Sequence, residues 1–193
     1  MNNEYYFYNC SEQYIKTISP YLFDEVIDII SSLPKRKTQS EINRDLFWAL
    51  TEKGWEFDSL PTNLPASPPS DLQVIPRATS EIKQNNNRPL CATSTTLNAN
   101  WHADFAKSYN DKLVQVEAQF GKVESMFKDF CGFRITTFER RLSLGIEIVL
   151  SEPNSYFAHR KDSTSGMAYF DIAKNTLMAI GLSCPIWLIG VKE

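Results

Sequence analysis

A chain of 193 residues with 42% hydrophobic and 22% charged residues is long enough to bury one sizeable core and short for two. Its net charge of −3 excludes a sequence-blind basic coat for nucleic acid, so contact with nucleic acid would need locally clustered cations. The opening MNNEYYFYNCSEQY has neither the basic nor the apolar region of a secretion signal, and no apolar run approaches membrane-spanning length.

The first predicted element is an amphipathic helix over 20–33, where Leu22, Phe23, Val26, Ile27, Ile29 and Ile30 recur at helical spacing until Pro34 stops them. A second helix is expected over 40–53, with Ser40 as N-cap and Gly54 as its C′ residue. Its apolar face would be Ile42, Leu46, Phe47, Ala49 and Leu50. Residues 57–100 read as loop-rich, because five of the ten prolines fall between 61 and 76 and QNNNR follows at 84–88.

The second half is more regular. Strands are expected at 113–120, 144–150 and 185–191, and helices at 123–140 and 167–182, with a polar loop over 151–166. Strand, helix, strand, helix, strand is the order of an α/β unit with a partly parallel sheet. The expectation is one α/β domain over 1–193, a central mixed sheet flanked by helices. It divides into N-terminal helices (1–56), the loop-rich segment (57–100) and an α/β core (101–193). The four cysteines, at 10, 91, 131 and 184, show no C-x-x-C spacing, which argues for free thiols in a reducing cytoplasm rather than zinc or disulfides.

Chemistry concentrates on the stretch VQVEAQFGK, Val114 to Lys122. Period 2 places Gln115, Glu117 and Gln119 on one face and Val114, Val116, Ala118 and Phe120 on the other. That polar face either meets water or holds something. Asp104, in HADFAK, lies thirteen positions before Glu117, enough for a hairpin that would bring the two carboxylates together. Two carboxylates at a strand end, with the Ala118 carbonyl, make a hard oxygen site suited to Mg²⁺. Such a site can polarise a phosphodiester and acidify a water. On spacing alone a solvated strand face is the stronger reading. The two histidines, His102 and His159, read as structural or exposed.

Taken in order, DFAK, VEAQFGK, an apolar-aromatic helix, LGIEIVL, SGMAYFD and PIWLIGV resemble the type II restriction endonucleases of the BglII and BstYI group, within the PD-(D/E)xK nuclease superfamily. SPYLFDEVIDIISSL and INRDLFWALTEKGW are similar to the group's opening helices. The resemblance covers most of the chain outside roughly 58–100. It implies that Asp104 and Glu117 bind Mg²⁺, for which Mn²⁺ can substitute, with the Ala118 backbone carbonyl as a further ligand. Gln119 stands where the superfamily has lysine. An amide cannot act as a base at neutral pH, so its role is to orient.

The interval between Asp104 and Glu117 is longer than in the group and contains Asp111, a second candidate for the first ligand. The DFAK context favours Asp104, since Asp111 in YNDKL reads as a turn residue. The resemblance further implies target reading by a loop containing Ser163, Thr164, Ser165 and Gly166. Lys122, Arg160, Lys161, Lys35, Arg36 and Lys37 become candidate DNA contacts. Without it, a solvated surface residue is the better reading of each, and an equal one for Lys122.

The group's members act on double-stranded DNA as homodimers, since a palindrome cut on both strands needs two sites related by a two-fold axis. The best-known members cut palindromes with a GATC core. The helix at 123–140 would supply dimer contacts, with Phe127, Phe130 and Phe138 as candidates. A cognate DNA methyltransferase is expected in the same host, and 5′-phosphate ends are the expected products. Two alternatives remain open in the sequence: a non-cutting DNA-binding relative, and a repair-type nuclease on the same fold.

Overall fold

The computed structural model describes residues 3–61, 92–93, 101–139, 141–158 and 164–192. Its order is β1 (Glu4–Tyr8), α1 (Glu12–Ile18), α2 (Leu22–Ser32), α3 (Gln39–Glu52), β2 (Glu56–Phe57), β3 (Phe105–Tyr109), β4 (Lys112–Ala118), α4 (Val123–Phe138), β5 (Leu142–Leu150), α5 (Pro153–Tyr156), α6 (Phe170–Ile180) and β6 (Ile186–Val191). The six strands form one mixed sheet in the order β1-β6-β5-β4-β3-β2. Its centre, β4-β5-β6, is parallel, and the crossovers are made by α4 and α6. The flanking pairs are antiparallel. This is the expected α/β architecture.

Helices cover both faces. On one, α1–α3 bury Ile15, Leu22, Val26, Ile42, Leu46 and Phe47 against Val114, Val116, Leu144, Ile146 and Ile148. On the other, α4 and α6 bury Met126, Phe130, Phe133, Ala173 and Leu177 against Leu142, Val149, Ile186 and Leu188. Strands apolar on both faces are what a covered parallel centre requires. Two glycines permit close packing, of α4 on the sheet and of Trp101 on α4. A Cβ on Gly145 in β5 would stand 2.8 Å from the Phe133 ring, and one on Gly132 would overlap the Trp101 indole at 1.8 Å.

Several boundaries shift for physical reasons. The cap of α3 is Thr38, not Ser40: Thr38 Oγ1 accepts from Glu41 N–H, and the Glu41 side chain accepts from Thr38 N–H, a reciprocal capping box. Gly54 lies just past the end of α3 with φ +79°, as the C′ position favours. β1 and α1 precede the first element predicted from sequence. β1 is nearly continuous aromatic sequence without period-2 alternation, and its strand character comes from pairing with β6. α1 has only seven residues, too few to show a period, and is set by Ser11, whose side chain accepts from Tyr14 N–H. α5 is a single turn within the predicted 151–166 loop.

Candidate active site

β3 and β4 form a hairpin closed by Asn110 and Asp111, with Tyr109 paired to Lys112. Asn110 takes φ +57°, a conformation that Asn tolerates. Asp111 therefore sits at the turn, at the far end of the hairpin from Glu117. The register, with Phe105 opposite Val116, brings Asp104 beside Glu117. The two acids are laced reciprocally: Asp104 N–H donates to Glu117 Oε2 at 3.3 Å, and Ala118 N–H donates to Asp104 Oδ2 at 3.0 Å. The Asp104 carbonyl accepts from Asp58 N–H at 3.0 Å. Two main-chain bonds hold the like charges together where repulsion alone would part them.

The polar face of β4 does not meet water. Gln115 is fully buried and its Nε2 donates to the Ala92 carbonyl at 2.8 Å. Glu117 is 4% exposed. On the neighbouring parallel strand, Glu147 is in register with Glu117 and is fully buried. Glu117 Oε1 and both Glu147 oxygens have no hydrogen-bond partner among the described residues. From α4, Asp129 is also buried, and its Oδ2 accepts from Gln119 Nε2 at 3.2 Å. Gln119 Oε1 accepts from Gly121 N–H at 2.9 Å.

Burial governs the titration of these acids. It raises Glu117 well above the ordinary glutamate value, with Asp104, Asp129 and Glu147 adding to the effect. Burial raises Glu147 in the same way, with Asp129 and Asp104 contributing. Asp129 is pushed up to about 7, again mainly by burial and against the opposing Gln119 bond. Asp104 opens onto a cleft, yet the protein crowded around it raises its pKa, and the Ala118 N–H opposes this.

That cleft holds about 210 Å³ and is lined by Asn43, Leu46, Ser59, Leu60, Pro61, Asp104, Phe105 and Ala118. The middle of α3 and the residues after β2, at the start of the loop-rich segment, are thus one wall of the site. Asn43 Oδ1 is buried there without a partner among the described residues. His102 faces Asp58 instead, Nδ1 to Oδ1 at 3.7 Å.

Other predicted residues fall into two groups near the strand end. Lys122 is exposed at the start of α4 and forms a bridge with Met167. Val123 N–H donates to the Gly166 carbonyl at 3.0 Å, and Ala168 N–H to the Gly121 carbonyl at 2.7 Å. Thr164, Ser165 and Gly166 therefore stand beside the segment that follows Gln119. Thr164 also hydrogen-bonds Asn154. Lys35, Arg36 and Lys37 follow α2, and Arg36 N–H reaches the Tyr156 hydroxyl at 3.5 Å. The Arg36 guanidinium is already paired with Asp45. Arg160, Lys161 and Ser163 lie outside the described residues, as does His159.

The sequence reading missed Glu147 and Asp129. Glu147 is the lone charge in LSLGIEIVL and matches Glu117 in register, which becomes visible only once β4 and β5 are paired in parallel. Asp129 is masked by the aromatic residues around it on α4.

A family model described as restriction endonuclease BglII/BglIII matches residues 3–191. The chain belongs to the BglII/BglIII restriction endonuclease family. It is a site-specific endonuclease of the type II class. The structure of restriction endonuclease BglII complexed with a DNA 16-mer is similar over the whole of this chain and 79% of that one. The TM-score is 0.61 and the identity 14%, a likeness of fold. No curated protein matches the chain significantly.

The BglII/BglIII family assignment bears on metal. Among the described residues, no three acidic, histidine or cysteine side chains stand together at metal-ligating spacing. A set of two carboxylates and one main-chain carbonyl does not require a third. The partnerless Glu117 Oε1 and the hard oxygen chemistry of Asp104, Glu117 and Ala118 fit a divalent cation such as Mg²⁺. Among the described residues, no helix is long and apolar enough to cross a membrane.

Proposed function

We propose that this endonuclease hydrolyses phosphodiester bonds of double-stranded DNA at a short palindromic site, using Mg²⁺ and leaving 5′-phosphates. The observation that carries this reading is the Asp104–Glu117 pair, locked by reciprocal main-chain bonds at the mouth of a cleft with Glu117 Oε1 left unpartnered. Asp104, Glu117 and the Ala118 carbonyl would hold the cation, which supplies charge neutralisation at the scissile phosphate and a lowered pKa for water. Gln119 orients that water through its amide. The burial of Glu117 and Glu147 excludes bulk water from one side of the site and strengthens its electrostatics.

The surface around the cleft suits a duplex. Lys122 lies on one side, with Thr164, Ser165 and Gly166 next to it, where small hydroxyls and backbone amides can approach base edges. Arg160, Lys161 and Ser163 belong to the same reading segment by sequence. Lys35 and Lys37 are exposed and would contact phosphates, and the Arg36 guanidinium between them is paired with Asp45. The working form is a homodimer. Phe127 and Phe138 on α4 are 43% and 68% exposed and are its candidate contacts, while Phe130 is core. The setting is the cytoplasm, beside a methyltransferase that protects the same site.

Digestion of a fully sequenced plasmid with Mg²⁺ and with EDTA tests this reading. Discrete, metal-dependent fragments with 5′-phosphate ends at one palindrome are expected. Absence of cutting with Mg²⁺ and Mn²⁺ would overturn it.

A further inference from the structure

Asp129 has no task in the reading above. It projects from α4, is 9% exposed, and accepts from Gln119 Nε2 through Oδ2 at 3.2 Å. The other end of the same amide is also occupied, because Gln119 Oε1 accepts from Gly121 N–H at 2.9 Å. An amide held at both ends this way has one stable orientation. Flipping it would set Nε2 against a backbone N–H, donor to donor, and Oε1 against a carboxylate, acceptor to acceptor. Either mismatch leaves part-buried polar groups unpaired.

The arms differ in what they control. Gly121 is two residues from Gln119 and holds the oxygen locally. A Cβ on Gly121 would stand 2.9 Å from that oxygen, so the contact is already tight. Asp129 lies on a different element, packed against the sheet by Met126, Phe130 and Phe133. Asp129 Oδ2 accepts this bond, so it dictates which end of the amide carries the N–H. With both arms engaged, one Nε2–H and one Oε1 lone pair remain, and their directions are set.

We infer that Asp129 is a positioning residue, which locks the Gln119 amide so that its remaining N–H and lone pair face the water and phosphate beside Asp104 and Glu117. This rests on the role proposed for Gln119. It fixes the glutamine amide from a second element, α4, and not from its own loop alone. It also explains a buried carboxylate on α4 whose one described hydrogen bond goes to Gln119.

The test is a double-mutant cycle on the full-length protein, using single-turnover cleavage of the plasmid with Mg²⁺. Duplex affinity is measured in parallel with Ca²⁺ in place of Mg²⁺. D129A is expected to slow cleavage about 10- to 100-fold, the range for a misplaced orienting group, with unchanged duplex Kd. Q119A is expected to slow it similarly, and D129A/Q119A no further than the slower single variant. D129N, whose Oδ1 can still accept from Gln119, is expected to recover most of the rate.

A purely structural role for Asp129 would give multiplicative losses in the double variant, and that result overturns the inference, as does wild-type cleavage by D129A. If Q119A cuts at the wild-type rate, the role of Gln119 falls and this inference with it. Slow Q119A with fast D129A removes the inference alone. Should D129A lose its fold, D129L, of similar volume and unable to accept, takes its place in the cycle.

Discussion

The buried acids should make the metal-free protein less stable as pH rises, and Asp129→Asn should reveal how much one of them costs. Asp129 titrates near 7 in the fold, against an ordinary value of 3.8. An acid with a raised folded pKa binds more protons folded than unfolded between those two values. Stability is therefore lost as pH climbs from about 4 to about 7 and is constant above. A shift of roughly three units at about 1.4 kcal/mol each gives about 4 kcal/mol by pH 8. Asparagine is neutral throughout and can keep the bond to Gln119.

D129N should thus melt higher than wild type at pH 8 in EDTA, by about 8–16 °C at roughly 2–4 °C per kcal/mol. The gap should narrow to a small remainder at pH 4.5. Thermal unfolding followed by circular dichroism from pH 4.5 to 8.5 measures it. A D129N–wild-type difference that does not vary with pH would refute the reasoning, because the burial penalty on the charged form would then be absent.

Gly132→Ala drives a methyl into the Trp101 indole, and overpacking of this kind costs ~1–3 kcal/mol, read as a lowered Tm. Thr38→Ala removes the capping box of α3 and should cost about 1 kcal/mol in urea unfolding, with the fold retained. Lysine at both Phe127 and Phe138 should yield monomers in sedimentation and convert double-strand cutting into nicking. A dimer that persists with both lysines would place the interface elsewhere.

Patterning carried the α/β core well, since β5 and β6 are apolar runs, β4 alternates, and the last helix, α6, has a clear apolar face. Asp104 and Glu117 were legible as a pair through spacing that leaves room for a hairpin and through the family resemblance of DFAK and VEAQFGK; the turn at Asn110-Asp111 is what makes them meet. What patterning could not show is where non-local pairing decides. β1 becomes a strand by lying against β6. Ser59 to Pro61 wall the cleft because β2 pairs with β3. The face of Gln115 and Glu117, ambiguous between water and a ligand, is buried beneath α4, whose Phe133 packs directly on Gly145 of the sheet. Glu147 and Asp129 joined the site only through that packing. Their charges sat in apolar segments, where a lone acid is easily read as a boundary residue.

The most direct test of the account compares wild type with Glu117→Ala. Mg²⁺-dependent plasmid cleavage and duplex binding in Ca²⁺ are measured on the same preparations. Glu117→Ala is expected to fold, to bind the duplex nearly as wild type does and not to cut. Cutting at the wild-type rate by Glu117→Ala would contradict it and remove the Asp104–Glu117 cleft as the catalytic centre.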